Sequence, residues 1–223
     1  MLYADGQGVK QSYTEAFKWF RLAAEKGLPE AQFKLGQLYY EGLGVKQSYP
    51  EAFKWFRLAA EKGLPDAQYN LGVSYANGQG VKQSYTEAFK WYGLAAEKGL
   101  SEAQFNLGVS YEDGQGVKQS YTEAFKWYGL AAEKGFPEAQ LNLGQLYYKG
   151  LGVKQSYAEA FKWFRKSADQ GNINALHVIG LAYKNGIGVQ QSYSKAKECF
   201  GLACDKGNDL SCDWYAKLNK NEY

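Results

Sequence analysis

The sequence has few of the residues on which metal binding and enzyme catalysis most often depend. Its 223 residues include one histidine, one methionine, three cysteines and four prolines. A single histidine excludes a histidine-rich metal site and removes the side chain most often used as a general base. Apolar runs are only a few residues long, so no transmembrane segment is predicted. The composition argues against most enzymes, and we predict no catalytic residue, no metal and no cofactor.

The charge of the chain is nearly balanced. There are 26 Lys and Arg residues and 23 Asp and Glu residues, which gives a formal net charge of +3. A nucleic-acid-binding domain normally carries a stronger and more clustered positive excess, so we expect no nucleic-acid partner. With 22% charged and 45% hydrophobic residues, the chain is typical of neither a disordered tail nor a membrane protein.

An internal repeat of 36 residues organises the whole chain. The clearest markers of this period are Tyr13, Tyr49, Tyr85, Tyr121, Tyr157 and Tyr193, together with Trp19, Trp55, Trp91, Trp127 and Trp163. We predict a single repeat domain over residues 1–223. Its parts are a partial repeat at 1–27, full repeats at 28–63, 64–99, 100–135, 136–171 and 172–207, and a C-terminal capping half-repeat at 208–223.

Each full repeat is predicted to form two helices joined by a turn. In residues 28–63, Ala31, Leu35 and Tyr39 recur at helical spacing, and Gly42 ends this first helix. A second apolar stripe follows and stops at a lysine and a glycine, which are typical of a helix end. The two helices of a repeat therefore form a hairpin.

Such a hairpin cannot bury its apolar faces alone, so neighbouring repeats must stack on both sides of it. Gly36 and Ala52 are small, and we interpret them as the close crossing of the two helices in a repeat. Trp55 and Tyr39 are large enough to hold neighbouring repeats together. The predicted fold is all-α, a right-handed superhelical α/α solenoid of helix-turn-helix repeats with a concave and a convex face.

The repeat pattern A-x3-L-G-x2-Y-x2-G-x-G-V, followed by A-x2-W-[FY]-x2-A-A-x2-G, resembles the Sel-1-like repeat, which is close to the tetratricopeptide repeat. In one repeat the pattern stands as Ala67, Leu71, Gly72, Tyr75, Gly78, Gly80, Val81, Ala88, Trp91, Tyr92, Ala95, Ala96 and Gly99. The resemblance covers essentially the whole chain. It implies a scaffold or adaptor that binds a protein or peptide partner, and it does not identify that partner.

The last repeat carries two cysteines, Cys204 and Cys212. This spacing resembles the cysteine-rich bacterial subgroup of the same family, which implies a disulfide, and the alternative is two thiols in a reducing compartment. The subgroup also implies a second function, a secreted or periplasmic β-lactamase-like or peptidoglycan-associated protein. Met1 falls within a first helix with no signal peptide, so we expect any targeting segment to lie outside these residues. On this resemblance, a secreted or periplasmic location is favoured.

The first helix of each repeat is expected to line the concave face, where binding residues would differ between repeats while the framework does not. Asn70, Asn106 and Asn142 occupy the position before Leu-Gly. An asparagine amide both donates and accepts, so a ladder of such amides could bind an extended peptide backbone, as the similar position does in tetratricopeptide proteins. The alternative is that these amides bond neighbouring helices and support the repeat geometry.

Other variable positions on the same helices complete the predicted peptide-binding groove. They hold Lys34, Gln37, Tyr40, Gln145 and Tyr148. Lys34, with Lys149 in a later repeat, could bind an acidic group or a C-terminal carboxylate, or could simply be a solvated lysine.

Two features that resemble catalytic motifs are weak. Ser192 begins an S-x-x-K sequence, but the other serine-enzyme motifs that accompany it are absent. His177 replaces an aromatic or leucine residue of the other repeats, and we interpret it as a surface histidine with a plausible contact to the groove.

Overall fold

The computed structural model describes residues 12–220. This part of the chain contains two compact units, which divide between Lys118 and Gln119. The partial repeat predicted at 1–27 and the capping half-repeat predicted at 208–223 both extend into residues outside the described range. Within residues 12–220 the chain forms twelve α-helices and no strand.

Among the described residues, each unit has six helices of nearly equal length. The first unit has α1 (Tyr13–Glu25), α2 (Pro29–Glu41), α3 (Tyr49–Glu61), α4 (Pro65–Asn77), α5 (Tyr85–Glu97) and α6 (Ser101–Asp113). The second unit has α7 (Tyr121–Glu133), α8 (Pro137–Lys149), α9 (Tyr157–Asp169), α10 (Ile173–Asn185), α11 (Tyr193–Asp205) and α12 (Asp209–Asn219). Even-numbered helices are the first helices of the repeats, and odd-numbered helices are the second helices. Within each unit, consecutive helices pack as a solenoid, so the predicted fold class is confirmed.

The helix ends follow the local chemistry of the sequence. Ser48 is the N-cap of α3, and its hydroxyl accepts a hydrogen bond from the backbone N–H of Glu51 at 3.4 Å. At the other end of a first helix, Gly42 adopts a left-handed conformation with φ 74° and ends α2. Because these caps recur in successive repeats, the helices begin and end in register with one another.

The crossing of the two helices in a repeat is close, as the sequence predicted. A Cβ atom added to Gly72 on α4 would lie 2.7 Å from the ring of Tyr92 and 3.3 Å from the carbonyl oxygen of Ala88, both on α5. Gly36 has the same relation to Phe56 and Ala52. An aromatic ring therefore occupies the space that a side chain would need, and the role predicted for Gly36 and Ala52 is confirmed.

Neighbouring repeats are joined by edge-to-face aromatic pairs. Phe53 on α3 meets Tyr75 on α4 with ring centroids 5.3 Å apart and an interplanar angle of 86°. The equivalent pairs are Phe17 with Tyr39 and Phe89 with Tyr111 in the first unit, and Phe125 with Tyr147 and Phe161 with Tyr183 in the second. Such a pair contributes about 0.5–1.5 kcal/mol beyond its buried area. The phenylalanine partner of each tyrosine was not predicted from the sequence. Trp55, which was expected to help Tyr39 hold neighbouring repeats together, packs on the same cluster as Tyr39 and is half-buried.

The loops inside the repeats also contact the preceding repeat. Gly80 has a positive φ of 74°, and a side chain there would overlap the carbonyl of Tyr49 at the start of α3. The ammonium of Lys98 donates to the carbonyl of Gly63, one repeat earlier. Backbone-to-backbone approach and a charged hydrogen bond therefore add to the aromatic contacts between repeats.

No helix within residues 12–220 is long and apolar enough to cross a membrane.

Two glycine substitutions test the helix crossing. We expect Gly72→Ala to lower the free energy of unfolding by about 1–3 kcal/mol, because the new methyl group overpacks the Tyr92 ring. Gly93 lies inside α5 with nothing within 4 Å of an added Cβ, so Gly93→Ala is the matched control. The control should raise that free energy by about 0.5–1 kcal/mol through helix propensity. Urea unfolding followed by circular dichroism measures the free energy of unfolding of both variants. Equal changes in the two variants would contradict the close crossing of the two helices.

Candidate functional site

The predicted groove residues lie on the first helices, and all of them retain some exposure to solvent. Lys34, Gln37 and Tyr40 are on α2, Asn70 is on α4, Asn106 is on α6, and Asn142, Gln145 and Tyr148 are on α8. Lys34 and Tyr148 are exposed, and the others are half-buried. Their neighbours in sequence, such as Leu35 and Leu71, are fully buried.

On α2 the predicted residues interact with one another and with the next repeat. The ammonium of Lys34 donates to the Gln37 side-chain oxygen at 3.0 Å. The hydroxyl of Tyr40 donates to the side-chain oxygen of Gln79 at 3.2 Å, which bridges α2 and the loop after α4. The Tyr40 ring also contacts the ring of Tyr49, with centroids 5.3 Å apart. The end of α2 is thus tied to the following repeat.

Asn70 and Asn106 occupy equivalent positions but have different partners. The Asn70 amide donates to the carbonyl of Asp66 in its own helix at 2.8 Å. The Asn106 side chain is hydrogen bonded to the hydroxyls of Tyr69 and Tyr92 in the preceding repeat. Burial raises the pKa of both tyrosines, and the hydrogen bond to Asn106 opposes that rise. Asn106 thus supports the packing of two repeats in the first unit.

The sequence explains this difference once the contact is known. The aromatic pair that precedes Asn106 is Tyr69 and Tyr92, whose ring centroids are 5.9 Å apart. The pair that precedes Asn70 is Phe33 and Phe56, at 5.8 Å, which offers no hydroxyl. The contact of Asn106 could have been predicted from one sequence feature: both aromatic residues change from Phe to Tyr between the two repeats.

In the second unit, α8, α9 and α10 surround a pocket of about 340 Å³. It is lined by Gln145, Tyr148, Lys149, Tyr157, Ala160, Phe161, Phe164, Val178, Leu181, Ala182, Asn185 and Ile187. Two predicted groove residues, Gln145 and Tyr148, are therefore brought together with the lysine considered for a carboxylate. Asn142 is half-buried on α8 and is not among the lining residues.

The pocket differs from the equivalent surface three repeats earlier. Gln145 and Tyr148 correspond to Gln37 and Tyr40, but Ile187 stands where Gln79 accepts the Tyr40 hydroxyl. The remaining differences, written from the first unit to the second, are Asn70 to Val178, Val73 to Leu181, Ser74 to Ala182 and Glu41 to Lys149. Four of these five positions become more apolar or larger in the second unit, and the fifth reverses its charge.

The single histidine, His177, is half-buried in the last full repeat. His177 Nδ1 is 2.7 Å from Ser211 Oγ on α12, and its ring is 5.7 Å from that of Phe200. Ser211 is fully buried, so this pair offers no accessible nucleophile. Burial lowers the pKa of His177. The interpretation of His177 as a plain surface residue is therefore wrong, because its ring packs between two helices.

The cysteines and Ser192, the serine of the S-x-x-K sequence, have structural roles. Cys204 and Cys212 are joined by a disulfide that links the end of α11 to the start of α12. Cys199 is buried, and burial raises its pKa to about 11, which keeps the thiol protonated and unreactive. Ser192 caps α11 by accepting from the Lys195 N–H at 3.3 Å, as the equivalent serines of other repeats do. Over the described range, no cluster of three or more metal-ligating side chains is present.

Comparison with known proteins agrees with these observations. The family model described as Sel1 repeat matches residues 1–28, 29–64, 65–100, 101–136, 137–172 and 173–208. A protective antigen of uropathogenic Escherichia coli with an SLR fold is 40% identical, with a TM-score of 0.91; the match covers 94% of this chain and 45% of the antigen. A Sel1 repeat protein from Oxalobacter formigenes is 41% identical, with a TM-score of 0.84, over 92% of this chain and 84% of that one.

A more distant structure shares the fold alone. It is a sel1 repeat protein from Klebsiella pneumoniae, 21% identical with a TM-score of 0.57, and the match covers 91% of this chain and 99% of that one. No curated protein matches the chain. Because the chain spans 45% of the E. coli antigen, it corresponds to less than half of that molecule.

Replacement of Asn106 tests its contact with the two tyrosines. We expect Asn106→Ala to lower the free energy of unfolding by about 1–2 kcal/mol, because two partly buried hydroxyls lose their partner. Asn70→Ala, the matched control, should change it by less than about 0.5 kcal/mol. Urea unfolding measures both variants. A Tyr92→Phe background should reduce the cost of Asn106→Ala, and an unchanged cost would contradict the contact.

His177 should make stability depend on pH. Since burial lowers its pKa below the ordinary 6.5, the unfolded chain binds more protons between the two values. The contribution is fully present above pH 6.5 and is lost as pH falls through the lowered pKa. We expect the free energy of unfolding to decrease from about pH 7.5 to 5.5, above the range where carboxylates titrate. His177→Gln should flatten this dependence in urea unfolding; an unchanged slope would contradict it.

Proposed function

The chain belongs to the Sel1 repeat family, and on that premise we propose that it is a scaffold that binds an extended segment of a partner protein along its first helices. Sel1-repeat solenoids are commonly protein–protein interaction scaffolds and are generally non-enzymatic. The proposal therefore needs no catalytic residue, metal or cofactor.

One observation carries the proposal: the residues that vary between repeats remain accessible, while the framework beside them is buried. Leu35 and Leu71 have no exposed surface, whereas the positions directly before and after each Leu-Gly pair are half-buried or exposed. Side chains that varied only to fit the core would be buried as well. Accessible variation on the same helix face in successive repeats instead supports a surface that contacts another molecule.

The polar side chains on this face can bind an extended backbone. We propose that Gln37 and Asn70 in the first unit, and Asn142 and Gln145 in the second, supply amide donors and acceptors to a partner's peptide groups. Asn106 is assigned a supporting role, because its side chain bonds Tyr69 and Tyr92 of the preceding repeat, whereas the side chains of Asn70 and Gln37 are hydrogen bonded within their own helices. Affinity would come from these hydrogen bonds together with aromatic contacts from Tyr40 and Tyr148.

The geometry favours this scaffold over the β-lactamase-like alternative suggested by the cysteine pair. Ser192 is a helix cap whose hydroxyl is occupied by the Lys195 N–H. Ser211, the serine beside His177, is fully buried. Ser192 therefore has the role of a helix cap, and Ser211 lacks the accessibility that a nucleophile needs.

A capture experiment with matched variants tests the proposal. The immobilised chain is exposed to lysate, and retained proteins are quantified by mass spectrometry. We expect the triple variant Gln37→Ala, Asn70→Ala, Gln145→Ala to lose at least one protein that the unchanged chain retains. The control Lys90→Ala, Lys126→Ala, Lys162→Ala alters exposed second-helix lysines and should retain it. Equal retention by both folded variants would reject the first helices as the binding face.

A further inference from the structure

We infer that the pocket formed by α8, α9 and α10 binds the C-terminal residue of a partner chain when that residue is large and apolar. This inference rests on the proposed function, because it names the chemistry of one part of the partner. The residues that carry it are Tyr148, Lys149, Phe161, Leu181 and Ile187.

The walls of the pocket favour an apolar side chain. Phe161, Phe164, Val178 and Leu181 line it, and its volume of about 340 Å³ is within the range of small-ligand sites. Burying a leucine or phenylalanine side chain contributes about 1.5–3 kcal/mol relative to water. A single such side chain, together with its own backbone, is a suitable occupant for a site of this size.

The comparison with the first unit explains why this pocket is open. There, the Tyr40 hydroxyl bonds Gln79 and ties α2 to the loop after α4. In the second unit the position of Gln79 is taken by Ile187, which cannot accept a hydrogen bond. Tyr148 consequently keeps 40% of its surface exposed, with its ring against Tyr157 at 5.2 Å. At residue 187, isoleucine therefore stands in place of the glutamine that bonds the tyrosine hydroxyl in the first unit, and its apolar side chain lines the pocket.

The charge at the rim favours a carboxylate beside that apolar side chain. Lys149 is the single charged residue among those lining the pocket, and it stands where the first unit has Glu41. Gln145 and Asn185 add amide donors at the same pocket. In a C-terminal residue the carboxylate and the side chain are attached to one Cα atom, so one ordered residue satisfies both the lysine and the apolar walls.

Synthetic peptides are the probes for this inference. Three fluorescein-labelled octapeptides share a Gly-Ser sequence and differ only at the end: leucine with a free carboxylate, leucine with a carboxamide, and serine with a free carboxylate. A fourth carries an internal Glu-Leu pair and an amidated end. Binding to the full chain is measured by fluorescence anisotropy up to millimolar concentrations. We expect the peptide with a free C-terminal leucine to bind at least tenfold more tightly than the other three.

Two variants in the pocket and one matched control locate the binding. Lys149→Glu should weaken the free leucine peptide about tenfold or more, while leaving the amidated peptide unchanged. Ile187→Gln should weaken it as well, because Tyr148 gains the acceptor that Tyr40 already has. Glu41→Lys, the reciprocal change in the first unit, is the control and should leave the affinity of the pocket unchanged. Circular dichroism melting confirms that each variant is folded.

The outcomes separate this inference from the proposed function. Equal binding of the carboxylate and carboxamide peptides, preference for the internal Glu-Leu peptide, or insensitivity to Lys149→Glu overturns the inference. If no octapeptide binds but the capture experiment still depends on the first helices, the inference fails and the proposed function stands. If capture is also independent of the first helices, the proposed function fails.

Discussion

The fold depends on contact between successive repeats, because a single helix pair leaves apolar surface on both of its sides. The edge-to-face pair of Phe53 and Tyr75 recurs at equivalent positions within each unit. The close approach of Gly80 to the carbonyl of Tyr49 adds a backbone contact that tolerates no side chain. Each repeat is consequently stabilised by its neighbours, and its surface residues are free to differ.

Much of this architecture could be predicted from the sequence, because the framework is periodic. Helix ends follow from the capping serines and left-handed glycines, and the crossing follows from the small residues at Gly36 and Ala52. The partner of each interface tyrosine was not predicted. Phe53 and Trp55 are both aromatic residues of the same helix, and spacing alone does not show which of the two reaches the next repeat.

The candidate site was harder to predict, because its properties arise from pairs of repeats rather than from single positions. The three asparagines look equivalent in the sequence, yet Asn106 faces two tyrosines and Asn70 follows a pair of phenylalanines. The pocket likewise depends on Tyr148 in one repeat and Ile187 in the next. The sequence of a single repeat therefore predicts which helix face is accessible, but not these combinations of residues from two repeats.

The dependence of the pocket on two adjacent repeats has a consequence for how such chains can change over time. Near-identical segments are prone to duplication, loss and exchange, and the shared framework would let most rearrangements fold. The order of the segments would nevertheless matter: a glutamine-bearing segment inserted directly after the one that contains Tyr148 would separate Tyr148 from Val178, Leu181 and Ile187 and so remove the pocket, although every original segment would be retained. Under the proposed function, binding preference in this chain would therefore depend on the order of its repeats as well as on their individual side chains.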